Sequence, residues 1–167
     1  KLAETSGLYW NDQIRPERQV ESFYSADSSA LAEYRSQGIT ALIVAPTKGI
    51  CKGPSAAVLT DSASLERTLL GSGIALHLQI EPASREGYPD SPMGAFALAR
   101  QMFYDAEWHN SAHKAVHNNP ELGTVEFSRS LDALSGLRGR GVPVVVDTKD
   151  ELYALRAHKL AEAFDLN

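Results

Sequence analysis

The run Ile39-Thr-Ala-Leu-Ile-Val-Ala45 limits what this chain can fold into more than any other stretch. It is apolar on both faces of an extended segment, the pattern of a parallel strand covered on both sides. Pro46 ends it, because proline cannot donate to a strand ladder. Gly38 stands before it, where a glycine can take the left-handed conformation that closes a helix. That helix carries Ala30, Leu31 and Tyr34 behind a cap at Asp27 or Ser28. Helix, glycine and buried strand together make the αβ half of an α/β unit.

Later segments repeat the theme. A second strand is expected over Ala75–Ile80, after a tight approach or mobile turn at Gly71-Ser-Gly73. A third is expected at Val144-Val-Val146, after Pro143. The strongest helix runs from Met93 to about His113, with Ala95, Leu98, Ala99, Met102, Phe103 and Ala106 as one apolar stripe behind Ser91-Pro92. Another is expected from Thr124 to Leu137, with Val125, Leu131, Leu134 and Leu137 inward. Asp150 caps the last, whose apolar side reads as Leu152, Leu155, Leu160, Ala161 and Phe164. Residues 47–60 read as a Gly- and Pro-rich loop with Ala56-Ala-Val-Leu-Thr60 at its end. Pro82 to Pro92 read as a second loop, with Glu81, Arg85, Glu86, Tyr88 and Asp90. Residues 1–26 read as an irregular arm. The class is α/β, one domain over 1–167, built from parallel strand–helix units. These could form a small open sheet or an arc of a larger barrel, and composition does not decide between them.

Charge excludes some partners. The net charge is −5, and the 16 Lys and Arg are scattered, with Arg138-Gly-Arg140 the densest group. That is no nucleic-acid footprint. No segment approaches the roughly 20 apolar residues a membrane span needs. Cys51 is the one cysteine, so no internal disulfide is possible. The start, Lys1-Leu-Ala-Glu-Thr-Ser-Gly7, has neither an initiator Met nor an apolar signal core. It fits a processed chain or a piece of something longer.

Most chemistry-bearing side chains have plain structural readings. His109, His113 and His117 share a helical face at spacings that could hold zinc or nickel. With no carboxylate to complete a pattern, they read as solvent-facing. His77, between Leu76 and Leu78, reads as hydrogen-bonded or partly buried, and His158 as a surface residue. Trp10, Tyr104 and Trp108 read as core fillers. Lys48 and Lys52 could lower the Cys51 pKa, but no histidine in sequence context makes Cys51 a nucleophile. Residues 48–55 lack phosphate-loop spacing. Ser55, Asp61 and His77 lack the elbow of a hydrolytic triad.

Five stretches together resemble the imidazolonepropionase-like branch of the amidohydrolase superfamily. They are Tyr9-Trp-Asn-Asp12 with Arg15-Pro-Glu17; Tyr34-Arg-Ser-Gln-Gly38-Ile-Thr40; Gly49-Ile50 with Lys52-Gly-Pro-Ser-Ala56, where Pro54 replaces the usual Gln; Met93-Gly-Ala95 with Arg100, Phe103-Tyr-Asp-Ala106 and Trp108; and Pro143-Val-Val-Val146 with the helix through Phe164. The resemblance implies part of a TIM-like barrel, incomplete in this chain, from a longer metal-dependent hydrolase of cyclic amide or other C–N bonds. It implies a divalent metal, zinc by expectation, in the longer protein and none in this chain alone. The family's His-x-His is absent here, and the chain is expected to lie between that motif and the late-barrel ligands. Asp147 stands where a strand usually ends in a metal-binding histidine, so the resemblance makes it the one candidate metal ligand. Loops 46–55 and 81–92 would flank the barrel mouth, with Lys48, Lys52, Ser55 and Glu81 on the substrate side. The expected partners are the remainder of the barrel, or a second copy through exposed strand edges. A non-catalytic α/β interaction module is the alternative.

Overall fold

A computed structural model describes residues 7–82 and 87–167. Arg85 and Glu86 of the second loop, and the first six residues of the arm, lie outside the described residues.

The elements are α1 (Ser28–Ser36), β1 (Ala41–Val44), β2 (Cys51–Leu59), α2 (Leu65–Thr68), β3 (Leu69–Gln79), α3 (Pro92–Asn118), α4 (Arg129–Gly139), β4 (Val144–Asp147) and α5 (Glu151–Phe164). The caps fall where short polar side chains precede apolar stripes. Asp27 accepts from the Ser29 and Ala30 amides, Ser91 from Gly94, Ser128 from Leu131 and Asp150 from Tyr153.

The four strands lie in the order β1-β2-β3-β4. The sheet is mixed and curls into a half-barrel, so the α/β class and the incomplete barrel both hold. Among the strands of the described residues β3 and β4 pair parallel, with Leu76 opposite Val144 and Gln79 opposite Asp147, and the arm adds a single parallel bridge from Ile14 to Cys51. β1 pairs antiparallel with β2, and β2 with β3. β1 is therefore an edge strand, and Ile43 is 63% exposed. An apolar run fixes a strand but not what will cover it.

The expected loop at 47–60 is instead largely β2, whose first six residues are buried. Gly53 and Pro54 give this strand the composition of a loop. They sit at register shifts between Cys51 and Gly53 and between Pro54 and Ala56, where a strand tolerates both. Gly53 has φ +112°, and a Cβ there would stand 2.4 Å from the Arg18 carbonyl oxygen. Its bare backbone lets the N-terminal arm lie on β2. The arm is tied down: the Ile50 and Cys51 amides donate to the Gln13 carbonyl, and the Arg15 amide to Cys51. Gly71 and Gly73, expected before the second strand, lie within the longer β3.

One face of the sheet is packed. Leu76, Leu78 and Ile80 meet Ala95, Leu98, Ala99, Met102, Phe103 and Ala106 of α3, with Leu134 of α4 and Leu160 and Phe164 of α5 in the same core. Alternation then sends His77, with Val145 opposite, to the other face.

Candidate functional site

Strand register assembles the site. β2 runs against β3, so the start of β2 lies beside the end of β3, and Cys51 pairs with Leu78 while Gly53 pairs with His77. Lys52 bulges between them. β4 runs with β3 and ends on Asp147. The Lys52 Nζ reaches across and donates to Asp147 Oδ2 at 2.5 Å. Lys52 is buried, its side chain 7% exposed, whereas that of Asp147 is 52% exposed. The pair thus closes a buried ammonium against a carboxylate at the rim.

His77 lies within the field of both. Its Nε2 is buried without a hydrogen-bond partner among the described residues. Burial lowers its pKa, Asp147 opposes that and Lys52 adds to it. Burial thus favours the neutral ring. Beyond β3, the Glu81 carboxylate lies 3.3 Å from Lys149 Nζ. The phenol of Tyr153 and then Glu81 hold that ammonium above its usual pKa. The C-terminal ends of β3 and β4 therefore carry two ion pairs and an unpartnered imidazole.

Of the residues singled out in the sequence, Lys52, Glu81 and Asp147 come to this end of the sheet. Lys48 is exposed in the loop before β2. Ser55 belongs to β2, not a loop. It is fully buried, and its Oγ donates to the Ala75 carbonyl and accepts from the Ala75 amide, both at 3.2 Å. His77 joins the site although sequence gave it only a structural reading. Its alternation with Leu76 and Leu78 was the available signal.

Four other expectations change. His109 is buried, not solvent-facing, because the chain after α3 folds back over it. Its Nε2 accepts from the Ser128 amide at 3.2 Å and lies 3.0 Å from His113 Nε2. Trp10, Tyr104 and Trp108 are 60%, 50% and 65% exposed, not core. Tyr104 and Trp108 fall opposite the buried stripe of α3, which has no room for them. The expected helix from Thr124 begins only at Arg129, so Val125 is not helical. Burial, and then Glu17, raise the Cys51 pKa rather than lowering it. His158 is exposed, 3.4 Å from Glu162, as its place on the last helix suggested.

A metal fits poorly here. Asp147 is already engaged by the Lys52 ammonium, and His77 is the imidazole that feels its charge. The described residues contain no group of three His, Cys, Asp or Glu side chains placed to hold a metal ion.

No protein-family model matches the chain, and no curated protein matches it. Its fold is similar to that in a crystal structure of an amidohydrolase from Thermotoga maritima MSB8, with a TM-score of 0.81 and 15% identity. The likeness covers 96% of this chain and 44% of that one. At that identity it is a likeness of fold, and this chain spans under half of the other's length.

Proposed function

We propose that the chain is the barrel-wall segment of a longer metal-dependent hydrolase acting on cyclic amides or other C–N bonds. The observation that carries this is the amidohydrolase-like fold over 96% of the chain, matched to 44% of that structure. The strand ends support it, since barrel enzymes place their chemistry at the C-terminal ends of parallel strands, where Asp147 stands. Such a protein would hold a divalent metal, zinc by chemical preference, which would supply Lewis-acid chemistry. The residues present do not make that site, so its other donors would come from outside this chain. Within the chain, Lys52 orients Asp147, His77 offers a neutral proton acceptor, and Glu81 with Lys48 lies towards the substrate. A non-catalytic α/β module is the second reading, favoured by the Lys52–Asp147 pair, which uses the carboxylate structurally.

Elemental analysis of the mildly purified chain beside Asp147→Ala tests the incomplete site. Near-stoichiometric metal, lost in the variant, would show that a working ligand set exists here. The expected result is no bound metal in either. A longer protein containing the chain should hydrolyse small lactams or N-acyl amines in a metal-dependent way, and Asp147→Asn should slow it at least about tenfold. Absence of hydrolysis with any divalent metal would favour the non-catalytic module.

A further inference from the structure

On the helical side of the sheet, away from the Lys52–Asp147 pair, lies a cavity of about 570 Å³. Its walls are the arm at residues 7–10, the α3 face at residues 105–109 and the segment of residues 124–128 that folds back over it. Trp10, Trp108 and Phe127 line it while remaining 60%, 65% and 58% exposed. Aromatic surface gathered so densely around one hollow is more than isolated exposed side chains.

The walls are tied to one another. The Tyr9 hydroxyl donates to Asp105 Oδ2 at 2.5 Å, and the Tyr9 amide donates to Ser130 Oγ at 3.0 Å. Ser128 Oγ donates to the Gly7 carbonyl, and the Ser128 amide donates to His109. Trp10 is stacked against Tyr88, with ring centroids 6.1 Å apart. Three segments far apart in sequence thus form a cleft held together before any ligand arrives, which lowers the ordering cost of binding.

The charge of the lining selects the occupant. Asp105 and Glu126 both line the cavity, and among the described residues no Lys or Arg does. The other titratable walls are Tyr9, whose phenol burial and then Asp105 hold in its neutral form, and His109, whose pKa burial and then His113 lower, which disfavours its charged form. Indole and phenyl faces attract cations, and two carboxylates reinforce that preference. A neutral apolar guest would find the aromatic walls but make no use of the acids. An anion would be repelled.

We infer that this aromatic, acidic cleft binds an organic cation of the quaternary ammonium class. The inference is independent of any hydrolytic activity of the sheet end. No bond is made or broken; the site is one of recognition.

The chain's two tryptophans both line this cavity, so intrinsic fluorescence reports on it directly. Choline is titrated at constant ionic strength against its uncharged carbon analogue, 3,3-dimethylbutan-1-ol. A saturable change with choline is expected, with the alcohol at least roughly fivefold weaker. Asp105→Asn and Glu126→Gln should each raise the choline midpoint roughly threefold or more. Glu126 is exposed, so its variant keeps the fold and decides the matter if Asp105→Asn, which alters the Tyr9 contact, is unfolded by circular dichroism. No saturable change up to about 50 mM choline would overturn the inference, that being beyond any useful affinity. So would an alcohol that binds as well as choline, or a choline midpoint unmoved in Glu126→Gln.

Discussion

A buried ammonium must keep its counter-charge, whereas the counter-charge at the rim can turn to water. Lys52 and Asp147 are in that unequal position, one enclosed and the other half-exposed. Removing Asp147 leaves an unpaired cation inside the protein, while removing Lys52 returns a carboxylate to solvent. Asp147→Ala is therefore expected to cost about 1–2 kcal/mol, discounted from the value for a fully buried pair because one partner is wet. Lys52→Met, which keeps the aliphatic stem, should lie within about 1 kcal/mol of the parent or above it. Urea unfolding of the two variants measures the difference. If Lys52→Met is the more damaging, the ammonium makes contacts besides Asp147 that matter more. The prediction concerns stability alone and holds whatever the activity of the chain.

At the scale of elements, what could be read in advance depended on whether the signal was local. Asp27, Ser91 and Asp150 marked three helix starts, because a cap is a contact within four residues. The α3 stripe was legible for the same reason. The phase of α5 was legible only in part. Leu160 and Phe164 are buried as expected, whereas Leu152 and Leu155 are 62% and 59% exposed and Tyr153 is buried in their place. Tyr153, Leu160 and Phe164 share a face at spacings of seven and four, and the tertiary partner chose it. β2 was hidden by Gly53 and Pro54, whose permission to sit in a strand comes from the arm lying on it. At the candidate site, Asp147 was legible from its strand end, but its pairing with Lys52 depends on a register 95 residues distant. The burial of His109 was likewise not legible locally, because Ser128 reaches it only after the chain turns back.

That last contact carries a pH prediction. Burial, with His113 adding, holds His109 below the ordinary imidazole value of 6.5, and burial lowers His77 too. A base with a depressed folded pKa binds fewer protons in the folded than in the unfolded state. Its contribution is intact above 6.5 and is lost as pH falls through that value towards the folded pKa. The urea midpoint should be level from about pH 8 to 7 and lower at about pH 5.5, with a shallower decline in His109→Gln. Parallel declines in parent and variant would show that His109 does not contribute to the transition.

Taken whole, the molecule is a curled sheet with α3, α4 and α5 packed on one face. β1 and β4 are its edges, and β1 carries Ile43 at 63% exposure; Leu70, Ile74 and Val145 are also exposed on the strands. An edge strand offers unpaired backbone donors and acceptors, and an apolar side chain beside them makes it adhesive. In a longer barrel these surfaces would meet further strands. For the chain by itself they predict self-association through β1, visible as a concentration-dependent sedimentation coefficient. Ile43→Lys places a charge on that edge and should weaken association about tenfold, or about 1.4 kcal/mol. Leu122→Lys supplies the control, since Leu122 is just as exposed but lies in the turn after α3, away from the sheet. Equal effects of the two lysines would mean that association is general hydrophobic adhesion with no strand pairing behind it. A chain that stays monomeric at every concentration would mean that its edges are already protected.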